Sequence, residues 1–231
     1  MTAEYQSIKT KRTFEIVVSL LKEKIFSGEK QPGDRLPTER DMARMAEVSR
    51  SAVREAYHAL EMLGIVEIRK GASGGTFIRE PSHDPITQNI SNLIRLRRIS
   101  LSEITETRLL MEKNIAELAL KKITPEDFLK LEQCVEDAMD HVKKGIRARE
   151  DNIRFHICLA EISRNKLLLT VYSSVMDLFN LLLKEKASLE MSEIIAQEHK
   201  EIIRLLRNGE TRPLLDCLDK HIRKASERLV D

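Results

Sequence analysis

Between Leu36 and Glu80 the chain reads LPTERDMARMAEVSRSAVREAYHALEMLGIVEIRKGASGGTFIRE, and the order of its start and stop signals leaves few folds open. Thr38 follows Pro37 and stands three residues before Asp41, so a hydroxyl and a carboxylate can satisfy each other's free amides as a capping box. The helix they begin runs to about Ala46. Glu47 and Val48 make a short turn, and Ser49 is the natural cap of a second helix. Val53, Ala56, Tyr57, Leu60 and Leu63 recur along it at helical spacing, and Gly64 stops it. Ile65 to Arg69 and Thr76 to Arg79 read as short strands around the glycine-rich tip KGASGG. Helix, turn, helix and wing in this order form the layout of a DNA reader.

On the face of the second helix opposite its apolar residues, Arg50, Ser51 and Arg54 fall in the first two turns. There a recognition helix in the major groove meets base edges and phosphates, and a guanidinium fork can hold guanine through two hydrogen bonds. The wing tip can lay Lys70 and Gly71 close to the DNA backbone or minor groove. A small helical domain with a solvated basic face is the plainer reading of the same residues. The segments GDRLPTER, VSRSAVREAYHALEMLGIVEIRKG and GGTFI resemble the winged helix-turn-helix of GntR-type bacterial transcription regulators over roughly residues 10 to 80. That resemblance implies a phosphate or base contact for Arg40 and recognition-helix contacts for Arg50, Ser51 and Arg54. It also places Ala52 at a contact position where a hydroxyl residue is common, and makes Lys70 and Gly71 wing-tip contacts.

A chain of 231 residues can hold one large or two modest domains, and two fit better here. The expected fold class is mainly α: a winged helix-turn-helix over residues 1–80, then an all-helical antiparallel bundle of six or seven helices over residues 81–231. No apolar stretch follows the charged start and no run approaches the roughly 20 apolar residues of a membrane span, so a cytoplasmic protein without a membrane partner is expected. A net charge of +2 argues against non-specific coating of nucleic acid. Cys134, Cys158 and Cys217 are widely spaced, lack a C-x-x-C pair and read as reduced core residues.

Pro81 to Pro85 form a short polar connector, beyond which strand signals almost vanish. Helices are predicted at about 84–97, 102–121, 125–144, 149–161, 165–186, 191–208 and 211–229. Ser100, Thr124 before Pro125, Gly145, Asn165, Gly209 and Thr211 supply the punctuation.

Three of these helices carry a histidine inside an apolar stripe: Ile153, His156, Ala160; Ile195, His199, Ile202, Leu206; and Leu214, Leu218, His221, Ala225, Leu229. His199 lies ten residues before Gly209 and His221 twelve after it, so an antiparallel hairpin brings the two imidazoles nearly level. Asn152 precedes His156 by one helical turn and shares its face. One oxygen and three imidazoles can enclose a divalent metal, zinc or nickel by donor type, whereas a lone histidine in such a stripe is usually a hydrogen-bonded core residue. Spacing alone leaves both readings open. Arg108 interrupts the stripe Ile104, Met111, Ile115, Leu118, and a buried guanidinium needs an anion. That anion is either Glu112 on the same helix or the carboxylate of a ligand.

The pattern EDNIRFHICLAEISRNKLL, EHKEIIRLL and DKHIRKA is similar to the FCD ligand-binding domain of the FadR subfamily of GntR regulators, over roughly residues 84 to 229. The resemblance implies a metal at Asn152, His156, His199 and His221, with asparagine where many such domains have aspartate. It also implies a ligand carboxylate at Arg108.

The function expected is a transcription regulator, a repressor by preference, that binds an inverted-repeat operator in double-stranded DNA as a homodimer and responds to a small carboxylate effector. Three alternatives stand beside it: a constitutive DNA-binding dimer with a purely structural bundle, an acyl-CoA-type sensor, and a metal-dependent hydrolase fused to a DNA-binding head. Against the hydrolase, the sequence has no His-Glu-x-x-His helix and no clearly inward general-base carboxylate.

Overall fold

The computed structural model describes residues 12–71, 73–183 and 188–230. The chain divides into two compact units, Met1–Pro85 and Ile86–Asp231. No described helix is long and apolar enough to cross a membrane.

In the first unit, helices α1 (Thr13–Phe26), α2 (Glu39–Met45) and α3 (Arg50–Met62) precede an antiparallel pair, β1 (Val66–Arg69) and β2 (Gly75–Ile78). Val17 and Leu21 of α1, Met42 of α2, and Val53, Ala56, Tyr57 and Leu60 of α3 make one core with Leu36, Val66 and Ile78. The α2–α3 turn is made by Glu47, a non-glycine residue at φ 52°, and Val48 N–H closes it on Ala43 O at 3.0 Å. Ser49 Oγ caps α3 by accepting from Ala52 N–H at 3.2 Å. At Thr38 only half of the expected capping box forms. Thr38 Oγ1 accepts from Asp41 N–H at 3.2 Å, but the Asp41 carboxylate takes the Thr38 hydroxyl proton at 2.6 Å rather than the backbone amide. Leu63, expected on the apolar face, is 52% exposed because it already belongs to the turn that Gly64 completes at φ 70°.

The strands pair Val66 with Ile78 and Arg69 with Gly75, so the wing tip sits between Arg69 and Gly75. A Cβ at Gly74 would come within 2.5 Å of Arg69 O and 2.8 Å of Gly71 O, so the tip closes only on glycine. Ala72, the remaining residue of this tip, lies outside the described residues.

The second unit is helical among its described residues. It comprises α5 (Leu101–Lys122), α6 (Pro125–Lys143), α7 (Arg149–Ile162), α8 (Lys166–Leu183), α9 (Leu189–Asn208) and α10 (Thr211–Val230), while α4 (Asp84–Arg95) spans the division. Local chemistry sets the helix ends. Ser100 with Glu103 and Thr124 with Asp127 form reciprocal capping boxes, and Pro125 occupies the first turn of α6. Asn165 Oδ1 accepts from Leu168 N–H at 3.1 Å at the start of α8, and Gly209 ends α9 at φ 70°. The expected end of the fifth bundle helix, near residue 186, lies outside the described residues. Helix α9 starts two residues before its expected start at 191, because Ser188 Oγ accepts from Met191 N–H at 3.0 Å. Phe155, Leu159, Tyr172, Ile202, Leu214 and Leu218 belong to the buried core that surrounds the histidines.

Candidate functional site

His156 on α7, His199 on α9 and His221 on α10 meet in the interior of the bundle, and each is almost fully buried. His156 Nε2 lies 3.1 Å from His221 Nε2 and 3.2 Å from His199 Nε2. The hairpin at Gly209 does level its two imidazoles, whose ring centroids are 5.0 Å apart.

Neighbouring carboxylates decide which ring nitrogens carry protons. Glu112 Oε2 lies 2.9 Å from His156 Nδ1, and Glu198 Oε2 lies 2.7 Å from His221 Nδ1. Against a carboxylate each Nδ1 is the N–H donor, which leaves a lone pair on both Nε2 atoms. Arg108 Nη2, which can only donate, stands 3.0 Å from His156 Nε2 and agrees with that tautomer. His199 stacks flat on Phe155 at 3.9 Å, and its Nδ1 has no hydrogen-bond partner. Asn152 Oδ1 is likewise buried and unpartnered, on the lining of the cavity that His156 and His221 also border.

Burial lowers the His156 pKa to about 4; the Glu112 carboxylate opposes the shift and the Arg108 charge adds to it. Burial, then the His156, His221 and Arg108 charges, hold His199 well below the ordinary imidazole range. Both rings are therefore neutral near pH 7, the form in which imidazole binds metals.

Glu112, which the sequence offered as a partner for Arg108 but not as a neighbour of the histidines, is the hub of the site. Its Oε1 accepts from Arg108 Nε at 2.6 Å and from Tyr172 OH at 2.6 Å, while Oε2 takes the His156 proton. Burial acts to raise its pKa, but the adjoining His156 and Arg108 groups and the Tyr172 hydroxyl outweigh it and keep the carboxyl ionised. The guanidinium of Arg108 also stacks over Phe179 at 4.4 Å. Arg108 thus has an internal counter-ion at the i+4 position and still points Nη2 into the histidine cluster. Asp151, next to Asn152, turns away to His141 Nδ1 at 2.6 Å.

The cavity beside the histidines is small, about 40 Å³, and is lined by Arg108, Arg149, Asn152, Met176, Phe179 and Met191 among others. A larger groove of about 420 Å³ between α5 and α10 contains none of the three histidines, so the chemistry of the lining, not volume, marks the candidate site. Arg149, Tyr172 and Glu198 carried no sequence signal, since each reaches the site from a helix whose facing partner is set by packing.

In the first unit Arg40, Arg50, Ser51, Arg54, Lys70 and Gly71 are all exposed. Ala52, in the first turn of α3 between Ser51 and Val53, is 9% exposed, and its N–H is the one that Ser49 Oγ caps. Ser51 Oγ lies 2.9 Å from Ser49 Oγ. The fork of Arg54 is occupied, with Nε 3.0 Å from Glu39 Oε1 and Nη2 2.7 Å from Glu39 Oε2, an ion pair that ties α3 to α2.

A winged helix-turn-helix head and a helical bundle with a buried polar pocket make up the build of a DNA-reading, ligand-binding regulator. The chain belongs to the gntR family of bacterial regulatory proteins: the family model matches residues 13–78, and the FCD domain model matches residues 103–224. It is 33% identical over 144 residues to the HTH-type transcriptional regulator LutR of Bacillus subtilis (strain 168), covering 62% of this chain and 65% of LutR. It is 34% identical over 161 residues to the Exu regulon transcriptional regulator of Escherichia coli (strain K12), covering 70% of this chain and 60% of that protein. The matches thus span somewhat under two thirds of the length of these curated relatives. The solved structure of Streptococcus agalactiae GntR superposes with a TM-score of 0.65 at 30% identity, covering 94% of this chain and 100% of that one.

Proposed function

We propose that the chain is a ligand-responsive transcription regulator that binds an inverted-repeat operator as a homodimer and is released from it when a small organic acid occupies the bundle. The observation that carries the input half is the convergence of the three Nε2 atoms. With both Nδ1 protons committed to carboxylates, the lone pairs of His156 and His221 face each other at 3.1 Å, an arrangement that a shared cation relieves. Metal–nitrogen bonds of about 2.0–2.1 Å in a tetrahedral or octahedral shell put neighbouring ligands roughly 2.8–3.4 Å apart, a range that includes the separations of 3.1 and 3.2 Å. The unpartnered Asn152 Oδ1 supplies a fourth, neutral donor on the same cavity. Three imidazoles and an amide oxygen suit zinc or nickel.

A divalent metal held by these residues supplies a Lewis-acidic centre for a carboxylate or an adjacent hydroxyl. Arg108 keeps Nε on Glu112 and turns Nη2 from His156 Nε2 to the same carboxylate, while Arg149 adds a second cation to the lining. The resting cavity has room for only a few waters, so a small acid enters by moving the pliable Met176 and Met191 side chains. Helices α7, α9 and α10 each carry a histidine, and a ligand drawn to that junction favours one packing of the bundle over another.

The closed Arg108–Glu112 pair favours a second reading, in which the bundle serves only to dimerise. Thermal-shift measurements on metal-stripped and metal-reloaded protein across a panel of small carboxylates separate the two. Zinc or nickel is expected to raise the melting temperature, and His199→Ala to abolish that rise. A stabilising carboxylate is expected to act only on reloaded protein, and Arg108→Ala to remove its effect while sparing the metal response. Protein indifferent to both metals and every acid would leave the structural reading standing.

The output half rests on Arg40, Arg50, Ser51, Arg54, Lys70 and Gly71, exposed on α2, α3 and the wing. Arg50→Ala is expected to weaken operator binding by about 1–3 kcal/mol and relax specificity at one base pair. Glu39→Ala, which unmoors Arg54, should lower affinity less than Arg54→Ala does. Fluorescence anisotropy on operator DNA at one fixed salt concentration checks both, and an Arg50→Ala protein with unchanged affinity and specificity would remove α3 from the interface.

A further inference from the structure

Cys134 on α6 and Cys158 on α7 bring their sulfur atoms to 3.6 Å across the helix pair, both as free thiols. Cys158 lies two residues beyond His156, about 200° around α7, so the pair faces away from the histidine cluster. Cys134 is 4% exposed, whereas Cys158 is half-buried and within reach of solvent. The Cys134 thiol is drawn below its ordinary pKa by the S–H of Cys158 and, against burial, by the Arg154 guanidinium beside it. The side chain of Arg154 is 49% exposed and bonds Asp137 as well, so the thiol lies one side chain from water. Cys217, on α10, stands apart from this pair.

We propose that Cys134 and Cys158 are a redox-active dithiol that hydrogen peroxide converts to an intramolecular disulfide joining α6 to α7. The Cys134 sulfur, as thiolate, attacks one peroxide oxygen, the O–O bond breaks, and the departing hydroxide takes up the proton lost from Cys134 as water. Cys158 sulfur then attacks the resulting sulfenic sulfur. The S–O bond breaks, and hydroxide leaves with the Cys158 proton as a second water. Two thiols lose two electrons and the peroxide gains them. The sulfur atoms must close from contact to a bond of about 2.05 Å, a movement that small side-chain rotations on two packed helices supply. The crosslink ties the helix that carries Asn152 and His156 to α6.

The full chain treated with hydrogen peroxide, then denatured and labelled with N-ethylmaleimide, tests this by intact mass and non-reducing peptide mapping. Untreated protein takes a label on each of its three cysteines. Oxidised protein is expected to take one, on Cys217, to weigh about 2 Da less before labelling, and to yield a linked Cys134–Cys158 peptide that dithiothreitol releases. Cys134→Ser should leave Cys158 free for labelling, whereas Cys158→Ser should leave Cys134 as an unlabelled sulfenic or sulfinic acid with no crosslink. Three labels after peroxide, a Cys134 sulfinic acid beside an intact Cys158 thiol, or a crosslink that runs through Cys217 or between chains would each overturn the assignment. The measurement on the unaltered chain stands even where a serine variant fails to fold.

Discussion

Glu112→Ala is expected to lower the unfolding free energy by about 3–5 kcal/mol, because it strands a fully buried guanidinium without its counter-ion. Arg108 is 2% exposed and Glu112 1%, so water cannot replace the lost carboxylate without opening the core. The same change orphans the Tyr172 hydroxyl and the His156 Nδ1 proton, both of which donate to Glu112. Glu112→Gln keeps the shape and one acceptor oxygen, and should recover part of the loss. Urea denaturation read by linear extrapolation measures each variant. The double variant Arg108→Met, Glu112→Met removes the unpaired charge along with its partner and is expected to be more stable than Glu112→Ala. A loss below about 1 kcal/mol for Glu112→Ala would mean that Arg108 is neutralised by something other than this carboxylate.

Acidification is the second large effect, and its sign follows from the neutral histidines. An unfolded imidazole titrates near 6.5, while His156 in the folded chain titrates near 4. Between these values the unfolded chain binds a proton that the folded chain does not, so its stabilising share is complete above pH 6.5. That share shrinks as pH falls and levels off below about 4. For His156 alone the interval amounts to roughly 3 kcal/mol, and His199, shifted in the same direction, adds to it. Metal-stripped protein should therefore lose most of this stability between pH 6.5 and 4.5, and His156→Gln should flatten the profile. Equilibrium unfolding at several pH values decides it, and a flat profile for the stripped protein would show that the imidazoles are already charged in the fold.

Much of the head was legible because its signals are local. Ser49 caps α3, Glu47 and Val48 make the turn, and Gly64 ends the helix, all within a few residues of where they act. The bundle's helix boundaries were legible for the same reason, through the Ser100–Glu103 and Thr124–Asp127 boxes and through Gly209. At Thr38 local chemistry had two solutions, and spacing did not distinguish them. The Asp41 carboxylate takes the Thr38 hydroxyl rather than the Thr38 backbone amide, so one of the two expected capping-box bonds does not form. Helix α1 drew no signal of its own, since only Val17 and Leu21 bury fully and their partners lie on α3 and beyond.

The sequence by itself determined which side chains point inward: three histidines, Arg108 and Asn152 break apolar stripes, and helical periodicity assigns faces from one chain segment alone. Only the tertiary structure decided what those faces meet. Glu112 could be paired with Arg108 from their spacing, but its bonds to His156, 44 residues away, and Tyr172, 60 residues away, depend on how α5, α7 and α8 pack. The same packing sets Glu198 against His221 and leaves Asn152 Oδ1 and His199 Nδ1 without partners. Periodicity is a property of one helix, whereas proton positions, buried charge and ligand-holding geometry belong to several helices at once.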